Sequence, residues 1–142
     1  MNYTPWLIRV GTNTVDGLVA VPLFVAAEFI GTPGAPRLIA VTAGILSMVL
    51  FGYNRWYLAG RTGQSWGRKV FGVRLVGDGT GRTIGAGRAA LRDVAHFLDA
   101  AVCCLGYLLP LVAAKRQTVA DMVCRTVVVK DRLVAEPAES RA

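Results

Sequence analysis

Histidine is almost missing from this 142-residue chain, His96 being the only one. A metal centre built on paired histidines is therefore excluded, and the nine acidic residues fall at no recognisable ligand spacing. Cysteine is confined to Cys103, Cys104 and Cys124, too few and too irregular for a disulfide framework. These three read as small apolar fillers. The glycines of the middle segment are followed by no Gly-Lys-Ser/Thr, and no parallel-sheet pattern surrounds them, which argues against a phosphate loop. Ser65 has no histidine near it in sequence, and no pair of carboxylates marks a polar cleft. No enzyme, cofactor or metal is expected.

What the chain does have is apolar length. Hydrophobic residues make up 54% and charged residues only 18%, with a mean hydropathy of +0.46. That balance is unusual for a soluble domain and fits a small integral membrane protein. Its sixteen Lys and Arg give a formal charge of +7, but they lie between and after the apolar stretches. Such a distribution suits a membrane face better than nucleic acid, which is not an expected partner.

The first apolar stretch, about 6–30, opens with Thr4-Pro5 as N-cap and first-turn proline. Arg9 and Asp16 interrupt it, so it is expected to remain as an anchor rather than be cleaved. Thr32-Pro33-Gly34-Ala35-Pro36 forms a turn, and a second span runs about 38–58, ending in Tyr53, Trp56 and Tyr57. Arg37 is the one basic residue between these spans, whereas Arg61, Arg68, Lys69 and Arg74 crowd the segment after them. The positive-inside rule then places the N-terminus and the 60–87 loop in the cytoplasm, at the plasma (inner) membrane. Those four basic residues are expected to contact anionic headgroups.

Within that loop, Val70 to Val76 partly alternates and ends in Gly77-Asp78-Gly79, which predicts a short strand and turn. A β-branched run at Thr126–Val129 reads as another strand able to pair with it. A third helical segment, about 88–114, is long enough to span once, but basic residues after it favour a cytoplasmic C-terminus. It is expected to re-enter, turning near Gly106 or Pro110. The expected architecture is an all-α membrane protein. It has two transmembrane helices plus a third spanning or re-entrant helical segment, and a short cytoplasmic β-hairpin-like element. Residues 1–132 form one membrane domain and 133–142 a flexible tail.

Ionisable groups at membrane depth are costly, so their placement is informative. At roughly 100° per residue, Arg9, Asn13 and Asp16 share one helical face, and Arg92, His96 and Asp99 repeat that spacing. The expectation is one hydrogen-bonded cluster, with Arg9 and Asp16 as an ion pair bridged by Asn13. His96 beside Asp99 is either a structural hydrogen-bonding group or a proton relay.

Three groups of residues carry a family resemblance: Arg9 with Asp16, Gly63-Gln64-Ser65-Trp66-Gly67-Arg68-Lys69 with Gly72 to Val76, and Gln117 to Asp121 before Thr126-Val127-Val128-Val129. Together they resemble the RDD family of small membrane domains, over nearly the whole chain. The resemblance implies Arg9 and Asp16 as its first two named residues, and Asp121 or Asp99 as the third. Ala120 and Arg125 stand where glycine is common in that pattern. The expected function is an accessory or assembly subunit of a larger membrane complex, docking through small residues Ala40, Gly44 and Ser47. Its partners would be the lipid bilayer and other membrane subunits or itself. The alternative is an oligomeric ion- or proton-coupled transporter of unknown ligand.

Overall fold

A computed structural model of the chain describes residues 2–30, 37–101 and 105–131. The proline-rich turn at 32–36, Cys103, Cys104 and the tail at 133–142 lie outside the described residues. Helix α1 spans Trp6–Ile30, 25 residues. Helix α2, Arg37–Gly52, continues through a π-helical turn at Tyr53–Leu58 into α3, Ala59–Thr62. This 26-residue run is long and apolar enough to cross a membrane. Short α4, Trp66–Val70, leads to β1, Val73–Gly77, and then α5, Ala86–Ala101. Two 3-10 turns, Leu105–Tyr107 and Leu109–Leu111, precede α6, Val119–Val123, and β2, Thr126–Lys130. Helix α5 and the 3-10 segment are together long and apolar enough to cross as well, with a bend of 117° between them.

The β element is not a local hairpin. Its turn residues do not lead β1 back onto a neighbouring strand; β1 pairs antiparallel with distant β2, from Val73 opposite Lys130 to Gly77 opposite Thr126. Burial explains the choice. Val73, Leu75 and Val128 are buried with Ile84 and Ala89 in one apolar cluster against which Ile8 packs, so the two β-branched runs cover each other and the start of α5. The extreme N-terminus extends this sheet through a bridge between Tyr3 and Val129. Thr4 was expected as the N-cap of α1, but its hydroxyl is buried without a partner among the described residues. Its backbone is used instead, the N–H donating to the Val128 carbonyl at 2.9 Å and the carbonyl accepting from Arg9 Nε at 3.4 Å.

Helix α2 lies along α1, and its other sides carry exposed Leu38, Ile45, Met48 and Val49. The small-residue row expected on the outer face is not there: Ser47 is buried, and Ala40 and Gly44 are half-buried. The outward apolar surface is made of large side chains, continued on α5 by Leu91, Val94 and Phe97.

Arg125 links α6 to β2 with a φ of 50°, in the left-handed region that disfavours a side chain. Its N–H donates to Met122 and its carbonyl accepts from Asp78, so the turn is fixed from both sides. Arg125→Gly should therefore stabilise the fold by about 1 kcal/mol, read as a higher melting temperature in detergent; a lower one would show that the Arg125 side chain is needed there.

Candidate functional site

The polar residues of α1, α5 and α6 meet where these helices approach the sheet. Asp121, the first-turn acid of α6, forms a capping box with Thr118. Its carboxylate accepts from Arg9 Nη1 and from Arg92 Nε, each at 2.6 Å, and from the Thr126 hydroxyl at 3.2 Å. Three helices and β2 thus converge on one fully buried carboxylate. Burial alone would raise the Asp121 pKa, but the guanidinium groups of Arg92 and Arg9 hold it well below the usual carboxylate range.

Arg9 is bonded to Asp121 and not to Asp16, although both lie on the expected face. Asp16 is instead claimed by groups from the π-helical turn and from the segment that leads into α4. It accepts from Asn54 Nδ2 at 2.8 Å, the Ser65 hydroxyl at 2.6 Å and the Gly67 N–H at 2.8 Å. Gly67 permits this closeness, since a Cβ there would overlap the Thr12 carbonyl oxygen of α1. Arg55 completes the shell at 3.6 Å from Asp16, while its fork donates to both oxygens of Asp93 at 2.8 and 2.9 Å and to Asn13 at 3.0 Å. Asn13 therefore joins the cluster through Arg55.

Asn54 and Arg55 were not foreseen as members. The π-helical turn carries both, with Asn54 buried against Asp16 and Ser65 capping α4. An extra residue in a helical turn re-aims the side chains beside it. A polar pair embedded in the Tyr53–Tyr57 aromatic belt was the available signal.

Asp99, also buried, accepts the Val119 N–H at 2.9 Å and sits 2.6 Å from His96 Nδ1. The His96 ring stacks on Tyr107 at 5.6 Å, and the Tyr107 hydroxyl donates back to the His96 carbonyl. Trp6 Nε1 donates to the Tyr107 carbonyl at 2.7 Å, tying the bend after α5 to α1.

Of the expected headgroup contacts, Lys69 and Arg61 are exposed, with Arg61 lying over the Tyr57 ring. Arg74 is drawn to Asp131 at 3.1 Å. Arg68 differs from them in burial: only 4% of it is exposed, because α4 is pressed onto α1. Burial and then the nearby charges of Arg92 and Arg55 push its guanidinium down to about 9, against the pull of Asp16 and Asp93. It remains protonated at neutral pH. A cavity of about 170 Å³ lies beside it, with Arg9, Arg68, Arg92 and His96 in its wall.

The profile of the RDD family matches residues 3–125. The chain belongs to the RDD family. RDD proteins are membrane proteins, in keeping with the candidate spans. The chain is 32% identical over 126 residues to a proline-rich antigen homolog of Mycobacterium tuberculosis (strain ATCC 25618 / H37Rv), covering 87% of this chain and 52% of the relative. It is 40% identical over 85 residues to the proline-rich antigen of Mycobacterium leprae (strain TN), covering 60% of this chain and 34% of that one. The chain thus spans about half or less of the length of these relatives. No solved structure matches it.

The Asp121 geometry sets a pH response. The carboxylate is more acidic folded than unfolded, so its contribution is complete above about pH 4. It is lost as pH falls toward the folded value, because the unfolded chain takes up the proton first. Melting temperature should be insensitive to this group from pH 7 to 5 and fall below about 4; the Asp121→Asn protein should start lower and show a shallower acid fall. An equally steep fall in both proteins would deny the ion pairs this role.

Proposed function

We propose that this chain is a multi-pass module of the inner membrane that acts as an accessory or assembly subunit of a larger membrane complex, without catalysis of its own. The observation that carries the reading is the contrast between its inside and its outside. Arg9, Arg92 and Arg55 are engaged with Asp121, Asp93 and Asp16 within the chain, while the outward faces of α2 and α5 are large apolar side chains. Charges tied up this way serve packing, and the bare helical faces are available to lipid and to other membrane helices.

The sheet supports a topology. Because β1 pairs with β2 and Tyr3 bridges to Val129, the N-terminus, the 60–87 segment and the C-terminal strand belong on one side of the membrane. In this reading α1 crosses outward and the Arg37–Thr62 run crosses back. The α5 segment, bent by 117°, then enters and returns on the same side. Basic residues concentrated after the second crossing favour the cytoplasm as that side.

One observation favours the transporter alternative. Asn13, His96 and Tyr107 line both the 170 Å³ cavity and a more open one of about 450 Å³, so the His96–Tyr107 stack stands where a path would have to pass. Gentle-detergent extraction from native membranes, followed by native mass determination, separates the readings. A fixed-ratio unrelated partner is expected. A homo-oligomer whose pH-dependent flux in proteoliposomes is abolished by His96→Gln, at unchanged abundance, would overturn the accessory role.

A further inference from the structure

We propose that the cavity walled by Arg9, Arg68, Arg92 and His96 is a binding site for a single phosphate group, carried either by a lipid headgroup or by free inorganic phosphate. No carboxylate among the described residues lines this cavity, although Asp121, Asp93 and Asp99 lie in the surrounding network. Those acids are already engaged. Asp121 is divided between Arg9 and Arg92, Asp93 is gripped by Arg55, and Asp99 holds His96 and the Val119 N–H. Arg68 is left with no ion-pair partner within 4 Å among the described residues.

The shortfall shows at individual atoms. Arg68 Nη1 and Arg9 Nη2 are shielded from solvent and have no hydrogen-bond partner among the described residues. Both side chains are more than nine-tenths buried, at 4% and 7% exposure, and both line the cavity. A buried cation lacking a counter-charge is costly, and an oxyanion in the adjoining space supplies that charge. Guanidinium forks match the tetrahedral oxygens of phosphate, and Thr12 and Thr118 add polar wall, while Trp6 and Tyr107 close the apolar side. At about 30 Å³ per water, the space holds one phosphate with part of its hydration. The inference goes beyond the accessory reading and does not depend on it.

The test uses the purified full chain in nanodiscs, with thermal melts and tryptophan fluorescence, since Trp6 lines the site. In phosphatidylcholine discs, millimolar inorganic phosphate should raise the melting temperature by several degrees relative to sodium chloride of equal ionic strength. If free phosphate has no effect but discs containing phosphatidylglycerol give the rise, the phosphate source is the headgroup. Arg68→Gln should fold and lose the response, Arg68→Lys should keep part of it, and Arg82→Gln, at an exposed arginine, should keep all of it. Should Arg68→Gln fail to fold, saturable quenching or enhancement in the wild-type fluorescence titration still distinguishes binding from its absence. No response of wild type to either phosphate source, or a full response retained by Arg68→Gln, would overturn the proposal.

Discussion

Asp121 is the point on which the arrangement depends. It sits fully buried at the start of a five-residue helix and accepts from guanidinium groups belonging to α1 and α5. Neither arginine could be buried at this depth alone, and the acid could not remain charged there without them. Their mutual need fixes the entry of α1 against the middle of α5 and brings β2 in behind α6. The sheet then pairs, and the N-terminal residues are drawn along its edge. A second knot at Asp16 holds the π-helical turn and α4 to α1 through Asn54, Ser65 and Gly67. Asp121 and Asp16 thus each collect groups from segments far apart in sequence.

This explains why so much was legible in the sequence and where that legibility stopped. Helical periodicity put Arg9, Asn13 and Asp16 on one face, and the structure buries Arg9 and Asp16 while Asn13 stays at the exposed edge. Periodicity says nothing about partners on other elements, however, and proximity along one helix suggested Arg9 with Asp16 when each acid in fact answers to a different segment. The burial of Arg68 was hidden for the same reason. In a run of basic residues after an apolar stretch, the chain pattern cannot separate an exposed lysine such as Lys69 from its buried neighbour. The separation comes from Gly67, whose lack of a side chain lets α4 touch α1.

The strands show the converse case. Two β-branched runs separated by some fifty residues could be matched because each has an apolar face and only the other to cover it. In the proposed topology their pairing goes with a bent α5 segment rather than a single crossing. The turn into β2 is made at Arg125, whose positive φ is a conformation that favours glycine, in line with what the resemblance implies at this position. Sequence pattern therefore located backbone elements and their faces, whereas the polar connections depended on close approaches visible only in three dimensions.

The energetic coupling of Arg9 to Asp121 is the quantity that bears most directly on this arrangement. A double-mutant cycle with Arg9→Met, Asp121→Leu and both together, followed by unfolding in detergent, measures it. Coupling of about 2 kcal/mol or more is predicted for this pair, with the double variant recovering part of the loss of each single one. The corresponding cycle for Arg9 with Asp16 should be close to additive. Additivity at Arg9–Asp121 to within about 0.5 kcal/mol would contradict the view that this ion pair holds the helices together.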